Sequence, residues 1–463
     1  MLMSLTSYLP ITIVPTKTFQ NQNKTIFLSS SLLSHWGMEP GDKITLCIGT
    51  KSLHVSVDVK ALEKEQILMN EWLYSQFPLP LKSLSFLSQY DKKQKHLFIG
   101  PIFALVTEVH EGEESGPSFR SIHSFAEELH YTAHTAGGLV YIFHIKDFSL
   151  EGVNGFYYED DHWRKSELAL PNVIYNRIHS RKLEASSFFR DKTAQMNVKK
   201  IPIFNERFLS KWEVHNLLYQ EPHLHPFLPE TALYDKDKLA ELLNKYKTIF
   251  IKPLEGSQGR NIIKVLLEDG AIIVKTTSTR EDGQIKLFAT LEEFLEWFQK
   301  RGKQIPFVMQ QGIPLATYHN RPLDFRVLCH KDYSNSWKVT SIVARVSAKT
   351  EFVSNLARGG EMMKASKPLT QLFDLQTARS HISFMKELSL EISKIISQSV
   401  QGIVGELGID IGIDSNGGIW IIEVNSKPSK NMEEQQTEIR PSTKAIYEYG
   451  TALAFQHLKE LVK

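Results

Sequence analysis

Apolar positions recur along this chain with rhythms that change twice. In residues 1–95, short alternating or β-branched runs at 11–14, 25–28, 43–48 and 53–59 are separated by Pro15, the turn Glu39-Pro40-Gly41-Asp42 and Gly49. A period of two between turn residues predicts strands, and residues 29–36 predict a short helix stopped by Gly37. Together they read as a β-rich unit, a small barrel. The charge run Lys92, Lys93, Lys95 reads as a solvated linker. In residues 96–200, strand patterns at 97–99, 139–144 and 173–176 alternate with a helical pattern at 119–136 that ends at Gly137-Gly138, which predicts a small α/β unit with a parallel sheet. The aromatic and acidic stretch 156–163 reads as a hairpin or surface excursion.

From 201 to 463 the pattern is α+β. Helices are expected at 211–219, 290–299, 375–404 and 443–461, the second with a Thr290-x-x-Glu293 capping box. Strands are expected at 248–252, 262–267, 272–274, 307–310, 324–330 and 337–346. A hairpin is expected from 409–413 and 419–424 across Asp414-Ser415-Asn416-Gly417-Gly418. Asp414 reads as a turn-forming residue.

Composition narrows the class. The 463 residues are 42% hydrophobic and 23% charged, which excludes disordered, collagen-like and disulfide-scaffold classes. At roughly 150 residues per domain, about three cores are expected. Lys+Arg (54) and Asp+Glu (52) nearly cancel, so no nucleic-acid partner is expected. Cys47 and Cys329 lack metal-ligand spacing and fit a reducing compartment. The 17 histidines, His319 and His330 among them, show no ligand pattern. The first cation is Lys17, and runs such as 139–143 are far too short to span a bilayer. A soluble intracellular protein with no membrane span is the expectation.

Two constellations carry chemistry. In the first, strand 249–253 delivers Lys252 and is followed by Gly256-Ser257-Gln258-Gly259-Arg260-Asn261. Glycines let consecutive N–H groups curl toward one anion, and the lysine adds a compact charge. Because the loop leads into a strand, it is neither a Walker A loop nor a dinucleotide fingerprint; a hairpin turn with no ligand is the bland alternative. In the second, Asp410 lies on one hairpin strand and Glu423 and Asn425 on the other. Glu423 and Asn425, two apart, share a face. Three oxygen donors converging from apolar strands suit a hard cation such as Mg²⁺; a structural polar cluster is the alternative.

These segments resemble the ATP-grasp superfamily, whose members hold ATP between two α+β subdomains and ligate a carboxylate to an amine or thiol through an acyl-phosphate. On that resemblance, Lys211, Lys252, Gly256, Ser257, Gln258, Gly259 and Arg260 contact phosphates. Gln310, Gln311 and Ile313 form the adenine-side linker, and Asp410, Glu423 and Asn425 hold the metal, two Mg²⁺ with Mn²⁺ as a substitute. Arg326, in Asp324-Phe325-Arg326, and Arg345 stabilise the transferring phosphoryl group, and Asn355 and Arg358 serve the acceptor side. The acid that usually holds the ribose near the end of the linker has no counterpart in residues 311–318.

The chain also resembles, nearly throughout, the YheC/YheD group of ATP-grasp proteins, on His96-Leu97-Phe98-Ile99-Gly100-Pro101, Lys211-Trp212 to Pro229-Glu230-Thr231 and Gly405-Glu406-Leu407-Gly408-Ile409-Asp410. That resemblance implies a role in sporulation, spore coat proteins as partners, and a place in the cytoplasm or on the mother-cell side of the coat. The implied organisation is a β-rich domain (1–95), a pre-ATP-grasp α/β domain (96–200) and an ATP-grasp domain (201–463) with subdomains 201–306 and 307–463. The implied reaction is ADP-forming ligation of an unidentified carboxylate acceptor. A nucleotide-binding scaffold of the coat and a kinase that stops at phosphoryl transfer are the alternatives.

Overall fold

The N-terminal strands close on themselves. The computed structural model describes residues 8–17, 24–63, 65–112, 116–256, 259–277, 285–301, 306–348, 359–430 and 438–462. Seven strands form a closed barrel, in the order Leu9–Thr16, Gln66–Asn70, Thr25–Leu28, Lys51–Val59, Lys43–Ile48, His96–Gly100 and Leu84–Asp91. Alternate residues such as Ile11, Ile13, Ile26, Leu28, Leu46, Val57 and Phe86 fill it, as the period of two requires. Strand His96–Gly100 belongs here. Expected to open the α/β unit, it instead pairs with Lys43–Ile48 in parallel and with Leu84–Asp91 in antiparallel. The lysines at 92, 93 and 95 accordingly sit at the turn of a hairpin, where polar residues face water, and not in a linker.

The α/β unit has a six-stranded sheet. Ile102–Val106 lies between Leu139–Phe143 and Val173–Asn176, all parallel, with Ile203–Phe204 beyond. The stretch expected as a hairpin forms one, Val153–Glu159 with His162–Leu168, at the other edge. Both faces are covered, which is why these strands are continuously apolar. Ala104, Val106, Tyr141 and Phe143 pack toward the barrel. Phe103, Leu105, Val140 and Ile142 pack toward helix His123–Ala136 and the terminal helix Pro441–Glu460. That terminal helix also meets the barrel through Phe455 and Leu458. A Cβ at Gly450 would lie 2.1 Å from the Phe103 ring, so only glycine lets the helix approach so closely.

Two antiparallel sheets follow. The first runs Thr231–Leu233, Phe307–Gln311, Thr248–Pro253, Ile263–Glu268, Ala271–Thr276, Ile285–Phe288. Leu239, Leu242 and Phe294 of helices Lys236–Tyr246 and Leu291–Arg301 cover one face. The capping box is present in altered form: Glu293 N–H donates to Thr290 Oγ1 (3.3 Å), and Glu293 Oε2 accepts from the Ala289 N–H (2.9 Å). The second sheet runs Glu361–Lys364, Trp337–Val346, Arg321–Lys331, Glu406–Ile413, Ile419–Asn425. Helix Leu375–Ser399 covers it through Met385, Leu388, Ile392 and Ile396. This helix stops short of the expected 404, because Val400 turns extended and Gly402 takes φ +90°. Among the described residues no helix is long and apolar enough to cross a membrane.

Candidate functional site

Between the two antiparallel sheets and the α/β unit lies a cleft of about 1850 Å³. It gathers Lys211, Lys252, Gly259, Gln310, Gln311, Ile313, Arg326, Arg345, Asp410, Glu423 and Asn425, all singled out in the sequence. Gly256 contributes through its carbonyl, which accepts from Lys211 Nζ at 2.9 Å. Arg260 is exposed and does not line the cleft. Ser257, Gln258, Asn355 and Arg358 lie outside the described residues.

Strand alternation aims these groups. In Thr248–Pro253, Ile249 and Ile251 enter the core while Phe250 and Lys252 face the cleft. In Glu406–Ile413, Leu407, Ile409, Ile411 and Ile413 are core, leaving Asp410 on the opposite face with Glu406 and two glycines. Asp410 stands directly across from Glu423, and Gly408 from Asn425, with a bulge after Asp410 that leaves Ile422 as the extra residue. Lys211 is the first residue of helix Lys211–Tyr219, whose Ser210 cap accepts from the Glu213 N–H at 3.1 Å. Asp414 is the turn residue expected: its carboxylate accepts from the N–H groups of Asn416 and Gly418 and from the Trp420 indole, each at 2.8 Å.

The centre is a charge network. Arg326 is the cross-strand partner of Asp410, and Arg345 of Asp324. Both Arg326 Nε and Nη2 donate to Asp410, the latter at 3.0 Å. Arg345 grips Asp324 with two bonds of 2.7 Å and reaches Asp410 Oδ2 at 3.0 Å. Lys211 Nζ lies 2.8 Å from Glu423 Oε1, and Lys252 Nζ donates to Gln310 Oε1 at 2.6 Å. Four cations thus face three carboxylates, Asp324, Asp410 and Glu423.

Burial works against the charge on Asp410, but Arg326 and Arg345 outweigh it and hold the carboxyl below its usual range. Burial likewise opposes charge on Glu423, outweighed mainly by Lys211. For Arg345 burial is again overcome, by Asp324 and Asp410, and its pKa rises. Among the described residues Lys252 has no such bonded carboxylate. Burial pushes its ammonium down to about 8.

Asp410 and Glu423 are like charges opposed across one ladder, with the Asn425 amide beside them (Nδ2 to Asp410 Oδ2, 3.5 Å). Two carboxylates and an amide oxygen are the donor chemistry that a divalent ion such as Mg²⁺ takes, although Arg326, Arg345 and Lys211 already neutralise both carboxylates here. Among the described residues no group of three His, Cys, Asp or Glu side chains gathers for a metal, so such an ion needs the amide oxygen or substrate oxygens.

The linker is more committed than expected. The N–H groups of Gln311 and Gly312 are already donated to Glu230 O (2.8 Å) and Thr248 O (2.9 Å), so the linker's amides for a base begin at Ile313. A Cβ at Gly312 would lie 2.4 Å from the Thr248 side chain. Among the described residues lining the cleft, the acids are Glu127, Glu128, Asp324, Asp410, Glu423 and Glu438, with none on the linker.

Sequence reasoning passed over a second polar cluster. Buried Glu406 is bonded by Tyr175 and Lys430 and by His330 Nε2 at 2.9 Å, with Arg177 3.6 Å away. His330, which shows no ligand pattern in the sequence, is part of this buried polar hub. Arg177 and Arg181 of the α/β unit also line the cleft. An isolated polar residue on an apolar strand has no motif; the one signal was the cost of burying Glu406 unpaired.

Comparison with known proteins places this architecture. The family described as YheC/D like ATP-grasp matches residues 200–453. The endospore coat-associated protein YheD of Bacillus subtilis (strain 168) is 31% identical over 423 residues, spanning 90% of this chain and 89% of that protein. YheC of the same strain, also described as endospore coat-associated, is 26% identical over 279 residues, 58% of this chain and 73% of its own. Among solved structures, the D-alanine-D-alanine ligase from Coxiella burnetii overlays with a TM-score of 0.46 and 10% identity, covering 78% of this chain and 97% of the ligase. With the family match over more than half of its length and a relative above 30% identity along nearly all of it, this chain belongs to the YheC/D-like ATP-grasp family.

Proposed function

We propose that the protein is an ADP-forming ligase that binds Mg·ATP in the cleft and joins a carboxylate to an amine or thiol. The observation that carries this reading is the convergence of Lys211, Lys252, Arg326 and Arg345 with Asp410, Glu423 and Asn425 from separate elements on one cleft. Lys211 and Lys252 steady the triphosphate. Gln310, Gln311 and Ile313 border the base, and Gly256 and Gly259, with the loop residues Ser257 and Gln258, flank the phosphates. Asp410, Glu423 and Asn425 hold Mg²⁺, two ions or Mn²⁺ in their place, which supplies charge neutralisation at the phosphate oxygens.

An acceptor carboxylate oxygen attacks the γ-phosphorus as the bond to the β-γ bridging oxygen breaks, giving ADP and an acyl-phosphate. An amine or thiol then attacks the acyl carbon, loses its proton, and expels phosphate. Arg326 and Arg345, already positioned by Asp410 and Asp324, stabilise the charge of the transferring group. Asn355 and Arg358 serve the acceptor side. By likeness to YheD and YheC, the setting is sporulation, with spore coat proteins as partners and a location in the cytoplasm or on the mother-cell side of the coat.

Incubation with Mg·ATP and pools of amino acids, peptides and cell-wall precursors tests the reaction. Stimulated ADP release that Asp410→Asn abolishes is expected. Nucleotide binding without turnover by any pool favours a coat scaffold instead. A fluorescent fusion followed through sporulation tests the setting, and a uniform cytosolic signal throughout contradicts it.

A further inference from the structure

The cleft continues past the charge network onto the α/β unit, where Arg181 lines it. Its guanidinium lies 4.4 Å from the centre of the Phe208 ring. Among the described residues it forms no ion pair, and its Nε is buried without a hydrogen-bond partner. Of the three acids whose fields reach it, Glu255 is exposed and forms no ion pair with it, and the other two are engaged elsewhere. Glu184 is bonded by Lys427, by Asn176 Nδ2 (2.9 Å) and by the Phe208 N–H (3.0 Å), and Glu423 is bonded by Lys211. Arg177, which lines the same cleft, is 3% exposed and leaves Nε and Nη1 without hydrogen bonds, its Nη1 lying 3.6 Å from Glu406.

Partial burial of a cation without an anion costs free energy, which burial registers by lowering the Arg181 pKa against the fields of Glu255, Glu184 and Glu423. A planar guanidinium 4.4 Å from the centre of a ring, with no donor spent among the described residues, matches the two oxygens of a carboxylate. Arg181 and Glu423 line the same cleft, so an anion docked on Arg181 shares it with the candidate metal-binding oxygens.

We propose that Arg181 anchors a non-reacting carboxylate of the acceptor, and that the acceptor is therefore an acidic molecule with at least two acid groups. The inference rests on the ligase reading above. A carboxylate docked on Arg181 is held on the α/β side of the cleft, so the attacking carboxylate is a different one, presented beside Arg326 and Arg345. The rest of the molecule runs along the arm of the cleft lined by Ser124, Tyr131 and Ile439. The cleft, about twice the upper end of ordinary ligand pockets, has room for it beside a nucleotide.

The test uses calorimetry on the whole protein, with and without Mg·AMP-PNP, and two probes of nearly equal shape: N-acetylglutamate with two carboxylates and N-acetylglutamine with one. The nucleotide-loaded protein is expected to bind N-acetylglutamate at least tenfold more tightly. Arg181→Gln should erase that difference while leaving AMP-PNP affinity within twofold and the melting temperature no lower, since removing a partly buried, unpaired charge offsets the lost contact with Phe208. Arg181→Lys should restore part of it. Equal or absent binding of both probes overturns the proposal. So does an Arg181→Gln protein that melts lower with unaltered probe binding, which makes the residue a structural stack on Phe208. Weakened AMP-PNP binding in that variant also overturns it, assigning Arg181 to the nucleotide. A probe difference that persists in a protein taking up no Mg·AMP-PNP leaves the anchor standing and removes the ligase reading.

Discussion

Lys252→Met should make the protein more stable and less able to hold nucleotide. Lys252 is 7% exposed, and burial brings its pKa from the ordinary 10.5 to about 8. At 1.36 kcal/mol per unit, keeping this ammonium charged inside the fold costs about 3 kcal/mol at neutral pH. Methionine removes that cost and forfeits the bond to Gln310, worth about 1 kcal/mol. A net gain of about 2 kcal/mol raises the melting temperature of the ATP-grasp half by roughly 4–8 °C.

The sign with pH is opposite for the two properties. Between about 8 and 10.5 the folded protein has lost the proton that the unfolded chain retains, so wild-type stability rises with pH through that window. Phosphate affinity falls over the same window, because the neutral amine no longer attracts an anion. Calorimetry with Mg·AMP-PNP should show a loss of roughly 10- to 150-fold for the variant at pH 7, the range of a charge-assisted hydrogen bond. Differential scanning at pH 7 and 9.5 should show the wild type approaching the variant. A Lys252→Met protein that melts lower than wild type and binds nucleotide equally well refutes the reasoning.

Other outcomes follow from the same network. Asp410→Asn and Glu423→Gln should each weaken Mg·AMP-PNP binding at least tenfold, and unaltered affinity by calorimetry contradicts the metal assignment. Glu406→Gln leaves Lys430, Arg177 and His330 without their common anion and should destabilise by about 3–5 kcal/mol, read by chemical denaturation. Burial opposes charge on Glu406, yet Lys430, His330 and Arg177 hold its carboxyl well below the usual range. Its contribution is therefore complete above the unfolded value of 4.5 and lost as pH falls below it, so Glu406→Gln should flatten the acid limb of the stability profile.

How much of this was legible depends on how local each feature is. The hairpin bearing Asp410, Glu423 and Asn425 could be read because a two-residue period, a glycine-bearing turn and carboxylates on apolar strands all lie within a short span. The place of strand His96–Gly100 could not, because barrel closure rests on its parallel pairing with residues some fifty positions earlier, which periodicity does not encode. Arg326 and Arg345 were recognisable as functional candidates. Their commitment to Asp410 and Asp324 follows from cross-strand register, visible only once the sheet is assembled. Arg181 follows an unremarkable serine at the start of a four-residue helix, and nothing local marks it.

Crystals grown with Mg·AMP-PNP offer the most direct measurement of the central claim, that hairpin oxygens and two lysines form one Mg·ATP site. The expected density has a divalent ion at about 2.1 Å from oxygens of Asp410, Glu423 and Asn425, and a triphosphate within hydrogen-bond reach of Lys211 and Lys252. A nucleotide bound away from this cleft, or an ion that touches none of those three residues, contradicts it.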